Sequence, residues 1–244
     1  MLKLKESDPM PNKPSVSIIT TGLNEAGNIE KAIKNIIDTL EKQGFSDFEI
    51  LAINDGSTDD TGKIIDELAA KNPRVKAFHN PKPRGLGCGV RVGVSLASKD
   101  YVGWIPGDNE ILPEAITSIF QQIGKADVII PYIINPEVRS TYRRCLSVAY
   151  KILFNVIFGL KIKYFNGPCF FKRDLLKTIE MTTDGPAYMA EIIVQLIKRG
   201  EASYVEVPMR VMVRKYGKSN ILKWRNVYLI GKTMLGLIYR IYLR

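Results

Sequence analysis

The sequence predicts an α/β protein: a mostly parallel central sheet flanked by helices, with an amphipathic helix at the C-terminus. Two observations carry that reading. Short β-branched apolar runs alternate with stretches of helical hydrophobic spacing, as in successive right-handed βαβ units. Acids also recur just after the apolar runs, at Glu25, Asp55 and the pair Asp108 and Glu110. Parallel sheets bind ligands at the carboxyl ends of their strands, so these acids are expected to converge on one edge.

The elements follow in order. Ser15 to Thr21 is β-branched and apolar, a buried first strand. Gly22-Leu23-Asn24-Glu25 turns the chain, and Gly27 or Asn28 opens a helix bearing Ile29, Ala32, Ile33, Ile36, Ile37 and Leu40, which Gly44 ends. Phe48 to Ile53 is the second strand, and a polar loop from Asn54 to Thr61 caps a helix to about Lys71. Val75 to His79 is a third strand. The run from Pro83 to Gly93 carries four glycines but lies too late for a dinucleotide fingerprint. It reads as a close-packed loop and helix start, with Arg84 and Arg91 as candidate phosphate contacts. Tyr101 to Ile105 is a short strand stopped by Pro106-Gly107, and Ala115 to Gln122 and Asp127 to Ile133 continue as helix and strand.

Thereafter the chain becomes more basic and aromatic. Arg139 to Arg144 leads into an apolar helix ending near Leu160, and Phe165 to Pro168 is a turn before a short helix. Tyr188 to Arg199 is helical. Tyr204 to Val213 is a last strand, where Pro208 points to a sheet edge or bulge. A basic loop, 214–219, precedes a helix from Ile221 to Arg244. Three parts result: a loose lead-in at 1–14, one domain at 15–220 and the helix at 221–244.

With 35 Lys+Arg against 25 Asp+Glu among 244 residues, the net charge of +10 suits anionic partners. Nucleic acid is excluded as the expected partner: no recognised motif appears, and the cations cluster beside apolar helices in the second half. Cys88, Cys145 and Cys169 are far apart and His79 is the single histidine, which argues against a zinc site or disulfide framework and for a reducing cytoplasm. No secretory leader and no spanning run is evident. Ile221, Trp224, Tyr228, Leu235, Ile238 and Tyr242 fall near one helical stripe, punctuated by Lys and Arg. That pattern suits peripheral attachment to an anionic membrane surface, or packing on the sheet or on a second copy of the chain.

The acid pair is the chemical centre of this reading. Two carboxylates at i, i+2 on a loop after a strand suit a hard divalent cation that also takes phosphate oxygens. Five motifs in order, Thr21-Gly22-Leu23-Asn24-Glu25, Ile53 to Thr61, Arg84-Gly85-Leu86-Gly87, Asp108-Asn109-Glu110 and Val207-Pro208 leading to Arg214-x-x-Gly217-Lys218-Ser219, resemble those of the family 2 inverting glycosyltransferases. The resemblance spans about 15–220 and is nearest the dolichol-phosphate mannose synthase and polyprenyl-phosphate branch. It implies a GT-A (Rossmann-like) fold and transfer from a nucleotide-diphosphate sugar to a lipid phosphate. It also implies that Asp108 and Glu110 bind Mg²⁺ or Mn²⁺ and carry catalysis with Arg214. Thr21, Leu23, Glu25, Asp55, Arg84, Asp108 and Asn109 would then contact the donor, while Arg144, Arg214 and Lys218 would grip phosphate. The chain departs from the family pattern at Thr21, Leu23, Asn54, Glu110, Tyr164 and Asn166-Gly167-Pro168. A saccharide acceptor, for which Glu191 is the candidate base, and a non-catalytic sugar-nucleotide binder are the alternatives.

Overall fold

The computed structural model describes residues 13–199, 202–212 and 224–243. Most of the lead-in, the basic loop with Arg214 and Lys218, and the start of the tail at 221–223 lie outside the described residues. The first half is a run of alternating units: β1 (Val16–Gly22), α1 (Ile29–Lys42), β2 (Phe48–Asn54), α2 (Thr61–Lys71), β3 (Val75–His79), α3 (Leu86–Leu96) and β4 (Tyr101–Trp104). Then come α4 (Pro113–Phe120), β5 (Val128–Ile133), α5 (Thr141–Phe158), β6 (Phe170–Lys172), α6 (Arg173–Leu176), α7 (Tyr188–Arg199), β7 (Tyr204–Met209) and α8 (Trp224–Ile238), which continues as a π-helical turn, Tyr239–Leu243.

The seven strands form one sheet in the order β3-β2-β1-β4-β6-β5-β7. It is parallel except at β6, which runs antiparallel to both neighbours. Both faces are covered, which is why β1 and β2 are buried at every position and read as nearly unbroken apolar runs. Alternation divides their side chains between two cores. Val16, Ile18, Ile50 and Ala52 pack with the apolar faces of α1 and α4, whereas Ile19, Leu51 and Ile53 pack with α3, α7 and Phe154 and Phe158 of α5.

Three details differ from the sequence reading. The segment 169–172, unassigned from sequence, contributes β6: three residues inserted between β4 and β5 carry too little pattern to announce a strand. Gly103 makes the insertion fit, because a Cβ there would collide with the Phe170 ring. The last strand ends at Met209 and not at Val213, and it lies on the sheet edge that Pro208 implied. The tail helix has two faces. Leu237 is fully buried against the core and Thr233 is buried, while Tyr228, Leu235, Tyr239, Tyr242 and Leu243 are exposed.

Candidate active site

Sheet register brings the predicted loops together. Gly22 and Asn54 end β1 and β2 as direct neighbours. Asp55 N–H donates to the Gly22 carbonyl at 2.9 Å, and Gly107 N–H donates to that of Thr21 at 3.1 Å. A Cβ at Gly107 would strike Ile29 and the Thr21 carbonyl, so only glycine lets the acid loop lie on the end of β1. The first two loops are then laced together: Asn24, at φ 57°, accepts from Thr58 N–H, and Glu25 N–H donates to Thr61 Oγ1 at 2.8 Å. The Glu25 carboxylate accepts from Asn28 Nδ2 at 2.7 Å. Leu23 is exposed on this rim, whereas Thr21 turns inward and accepts from Trp104 Nε1 at 3.1 Å.

Asp55 is buried and organises the glycine-rich loop. One carboxylate oxygen accepts from Arg84 N–H at 3.0 Å and Asn80 Nδ2 at 2.8 Å, and the other from Gly85 N–H at 2.9 Å. Arg84 thus supplies its backbone to the loop and leaves its side chain exposed. Arg91, a candidate phosphate contact, is paired with Asp184 at 2.6 Å.

The acid loop is held from both flanks. Asn109 has a left-handed backbone, φ 56°, and accepts from Asn35 Nδ2 of α1 at 2.9 Å. Glu110 N–H donates to Asp108 Oδ1 at 3.1 Å, and Met212 N–H donates to the Glu110 carbonyl at 2.9 Å. An antiparallel bridge joins Ile111 to Val211. Among the described residues no cluster of three or more His, Cys, Asp or Glu side chains could hold a metal on its own. Two half-buried carboxylates on one fixed loop do fit a magnesium-type ion that completes its shell with substrate phosphate. His79 is engaged elsewhere, between Asp66 and Asn54. Cys169 is fully buried, which pushes its thiol up and keeps it protonated and unreactive.

On the far side of the acid pair, β5 leaves the same edge of the sheet. The Asn135 carboxamide donates to the Val211 carbonyl and accepts from its N–H, at 2.9 and 3.1 Å. Arg139 donates to Tyr164 Oη at 3.0 Å. Arg144 donates to Thr141 Oγ1 at 3.1 Å, and its Nε is shielded from solvent with no hydrogen-bond partner among the described residues. Arg144 heads an open groove of about 550 Å³ lined also by Pro136, Val148, Ala149 and Ile152.

Glu191 stands apart. It is wholly buried and takes hydrogen bonds from Thr182 and Thr183 and an ion pair from Arg240 at 2.6 Å, so it is a structural acid and not a base for an acceptor hydroxyl. Sequence reasoning missed Asn35, Asn80 and the Arg139–Tyr164 pair. These residues act on partners 25 to 74 positions away, as the contacts Asn80–Asp55, Arg139–Tyr164 and Asn35–Asn109 show, and no local pattern marks them.

Comparison with known proteins bears on the family and the fold. The family described as Glycosyl transferase family 2 matches residues 17–180. A dolichol-phosphate mannosyltransferase of Pyrococcus furiosus is 30% identical over 236 residues, covering 93% of this chain and 62% of that protein. A GalNAc(5)-diNAcBac-PP-undecaprenol beta-1,3-glucosyltransferase of Campylobacter jejuni is 32% identical over 113 residues, 46% of this chain and 35% of that protein. The chain therefore spans less than two thirds of the length of these relatives. Among solved structures, glucosyl-3-phosphoglycerate synthase of Mycobacterium tuberculosis, in complex with Mn²⁺, UDP and phosphoglyceric acid, superposes with a TM-score of 0.65 at 16% identity. That match covers 94% of this chain and 79% of that one. It establishes the GT-A fold.

Proposed function

The chain belongs to glycosyl transferase family 2 and is a glycosyltransferase, and on that footing we propose that it moves a sugar, with inversion, from a nucleotide-diphosphate sugar to a polyprenyl or dolichyl phosphate at a membrane surface. The observation that carries this reading is the placement of Arg144. A guanidinium whose shielded Nε has no hydrogen-bond partner among the described residues stands at the head of an open, largely apolar groove, and we read that groove as the acceptor side of the site. A phosphate on a hydrocarbon chain matches both halves of that feature. Similarity to the Pyrococcus protein over 93% of this chain supports the same substrate class.

A lipid phosphate is an oxyanion at neutral pH. Its oxygen attacks the anomeric carbon from the face opposite the nucleotide, the bond from that carbon to the diphosphate oxygen breaks, and the configuration inverts. No side-chain base is required, in keeping with the burial of Glu191. The chain's contribution is to place the two reactants and to meet their charge. The loops after β1 and β2 hold the nucleoside end through Leu23, Glu25 and the Asp55-anchored glycine loop. Asp108 and Glu110 would hold Mg²⁺ or Mn²⁺, which when bound neutralises the departing diphosphate. Arg144 grips the acceptor phosphate, joined by Arg214 and Lys218, which follow Met212 in sequence by two and six residues.

Approach to a membrane is supported by the exposed apolar side chains of α5 and the tail. Val156 is 76% exposed and Leu243 72%. The two helices are joined where Tyr242 stacks on Phe158 and donates to the Ile157 carbonyl at 2.9 Å. Among the described residues no helix is long and apolar enough to cross a bilayer. The test is transfer from radiolabelled UDP- and GDP-sugars with Mn²⁺ to a short-chain polyprenyl phosphate, compared with oligosaccharide acceptors. Product that partitions into organic solvent supports the proposal. Transfer to saccharide alone overturns the acceptor assignment, and binding of nucleotide without any transfer overturns the activity.

A further inference from the structure

Among the described residues, the catalytic scheme leaves a buried ion pair unused at the centre of a continuous set of contacts. Arg240, in the π-helical turn that ends the tail, is 8% exposed and meets the completely buried Glu191 of α7 at 2.6 Å. The same carboxylate accepts from Thr182 Oγ1 at 2.6 Å and from the N–H groups of Thr182 and Thr183 at 3.0 and 3.1 Å. Thr183 Oγ1 in turn accepts from Gly185 N–H at 3.1 Å, and Gly185 lies against Leu229 of α8 so closely that a Cβ would fall 2.9 Å from it. The segment 182–185 is therefore fixed from two points on the tail.

Its other side presses on the glycine-rich loop. Gly87 N–H donates to the Asp184 carbonyl at 3.2 Å, and Arg91 pairs with the Asp184 carboxylate. A Cβ at Gly87 would lie 2.6 Å from the Thr183 carbonyl oxygen, and one at Gly85 2.9 Å from that of Asp184. Arg84 and Gly85 then carry the restraint to Asp55.

We infer that Arg240 and Glu191 are positioning residues for the donor site: docking of the C-terminal helix holds segment 182–185, which braces the Arg84–Gly87 loop in its nucleotide-binding form. This rests on the reading of that loop as part of the donor site. A buried ion pair of purely structural use would be replaceable with loss of stability alone. A brace instead changes the order of one loop and the affinity of one ligand.

The experiment measures backbone amide hydrogen exchange and calorimetric binding of UDP and of GDP, each with Mn²⁺, on the full chain. Variants are Arg240→Met, Glu191→Gln, Arg240→Lys and Leu229→Ala, the last loosening the same segment without unpairing a buried charge. In Arg240→Met the amides of Arg84, Gly85 and Gly87 should exchange at least about tenfold faster while those of β1 and β2 keep wild-type protection. The nucleotide Kd should rise at least about fivefold, Arg240→Lys should recover part of both, and the acceptor KM should stay unchanged. Protection at 84–87 and Kd within about twofold of wild type in the folded variants would overturn the inference. If Arg240→Met does not fold, the same comparison in Arg240→Lys and Leu229→Ala decides. A wild-type protein that binds neither nucleotide refutes the donor-site reading, whereas loop exchange still decides whether the brace exists.

Discussion

At the residue scale, the site depends on a few backbone positions as much as on its acids. Asp108→Ala should abolish transfer and remove the Mn²⁺ dependence of nucleotide binding. Glu110→Asp, which keeps a hard oxygen ligand, should retain measurable activity; initial rates and calorimetry with and without Mn²⁺ check both. Full activity in EDTA would refute the assignment. Gly87→Ala places a methyl 2.6 Å from a backbone oxygen that cannot swing aside, and is expected to weaken nucleotide binding more than about tenfold, which corresponds to about 1.4 kcal/mol. Gly27→Ala, with nothing within 4 Å, is the matched control and should bind as wild type. Arg144→Ala should raise the lipid-phosphate KM about tenfold and leave the donor KM unchanged, as steady-state kinetics with each substrate varied would show.

At the element scale, α8 turns one face to the core and leaves the other exposed. Leu237 is fully buried, so Leu237→Ala should lower stability by about 2–5 kcal/mol, read from urea denaturation. Leu235 is 66% exposed, and Leu235→Ala should change stability by less than about 0.5 kcal/mol. Flotation with anionic liposomes should rank them the other way. Removing Leu235 weakens attachment, because its burial among lipid chains contributes up to about 1.5–3 kcal/mol, whereas folded Leu237→Ala floats as wild type. Equal flotation of Leu235→Ala and wild type at low salt would mean that the exposed face does not meet lipid. Of the sequence stripe, Tyr228, Leu235 and Tyr242 are exposed whereas Ile238 packs against the core, so the stripe did not say which face turns outward. It did not show that Leu237 and Arg240 anchor the helix, since both lie off the stripe and depend on α7 for their environment.

At the scale of the whole molecule, the edge of the sheet opposite the site gathers three carboxyls, Glu49, Asp100 and Asp127, that are held below their ordinary range. Glu49 of β2 joins Ser17, Lys76 and Ser98. Burial alone pushes its carboxyl up, but hydrogen bonds from Lys76, Ser17 and Ser98 together overcome that and hold it at about 2 against an ordinary 4.5. Hydrogen bonds from Ser15 lower Asp100, and those from Ser203 lower Asp127 against the opposing effect of burial. A carboxyl with a depressed folded pKa stabilises the fold above its unfolded pKa, and the effect disappears as pH falls through the folded value. Stability should therefore be level near neutrality and decline from about pH 5 toward pH 2, with Glu49 contributing on the order of 3 kcal/mol. Glu49→Gln should flatten that decline in urea titrations at pH 7 and pH 3. An unchanged slope would show that the network does not set the acid response.

By itself the sequence determined the alternating α/β order, the edge on which Glu25, Asp55, Asp108 and Glu110 meet, and the family. All of these follow from local periodicity, from turn residues and from the rule that parallel strands open at one edge. The amphipathic character of the C-terminal helix was legible for the same reason, because a 3.6-residue period is written in consecutive residues, but which of its residues face the core was not. Only the tertiary structure decided what each polar side chain does. Asp55 holds the glycine loop, Asn35 fixes Asn109 between the two acids, and Glu191 is a buried partner of Arg240. It also placed β6, three residues whose pairing depends on Gly103 of another strand. Hydrogen bonds and ion pairs act over about 3 Å between residues many positions apart in sequence, so they come into being only when the chain has folded.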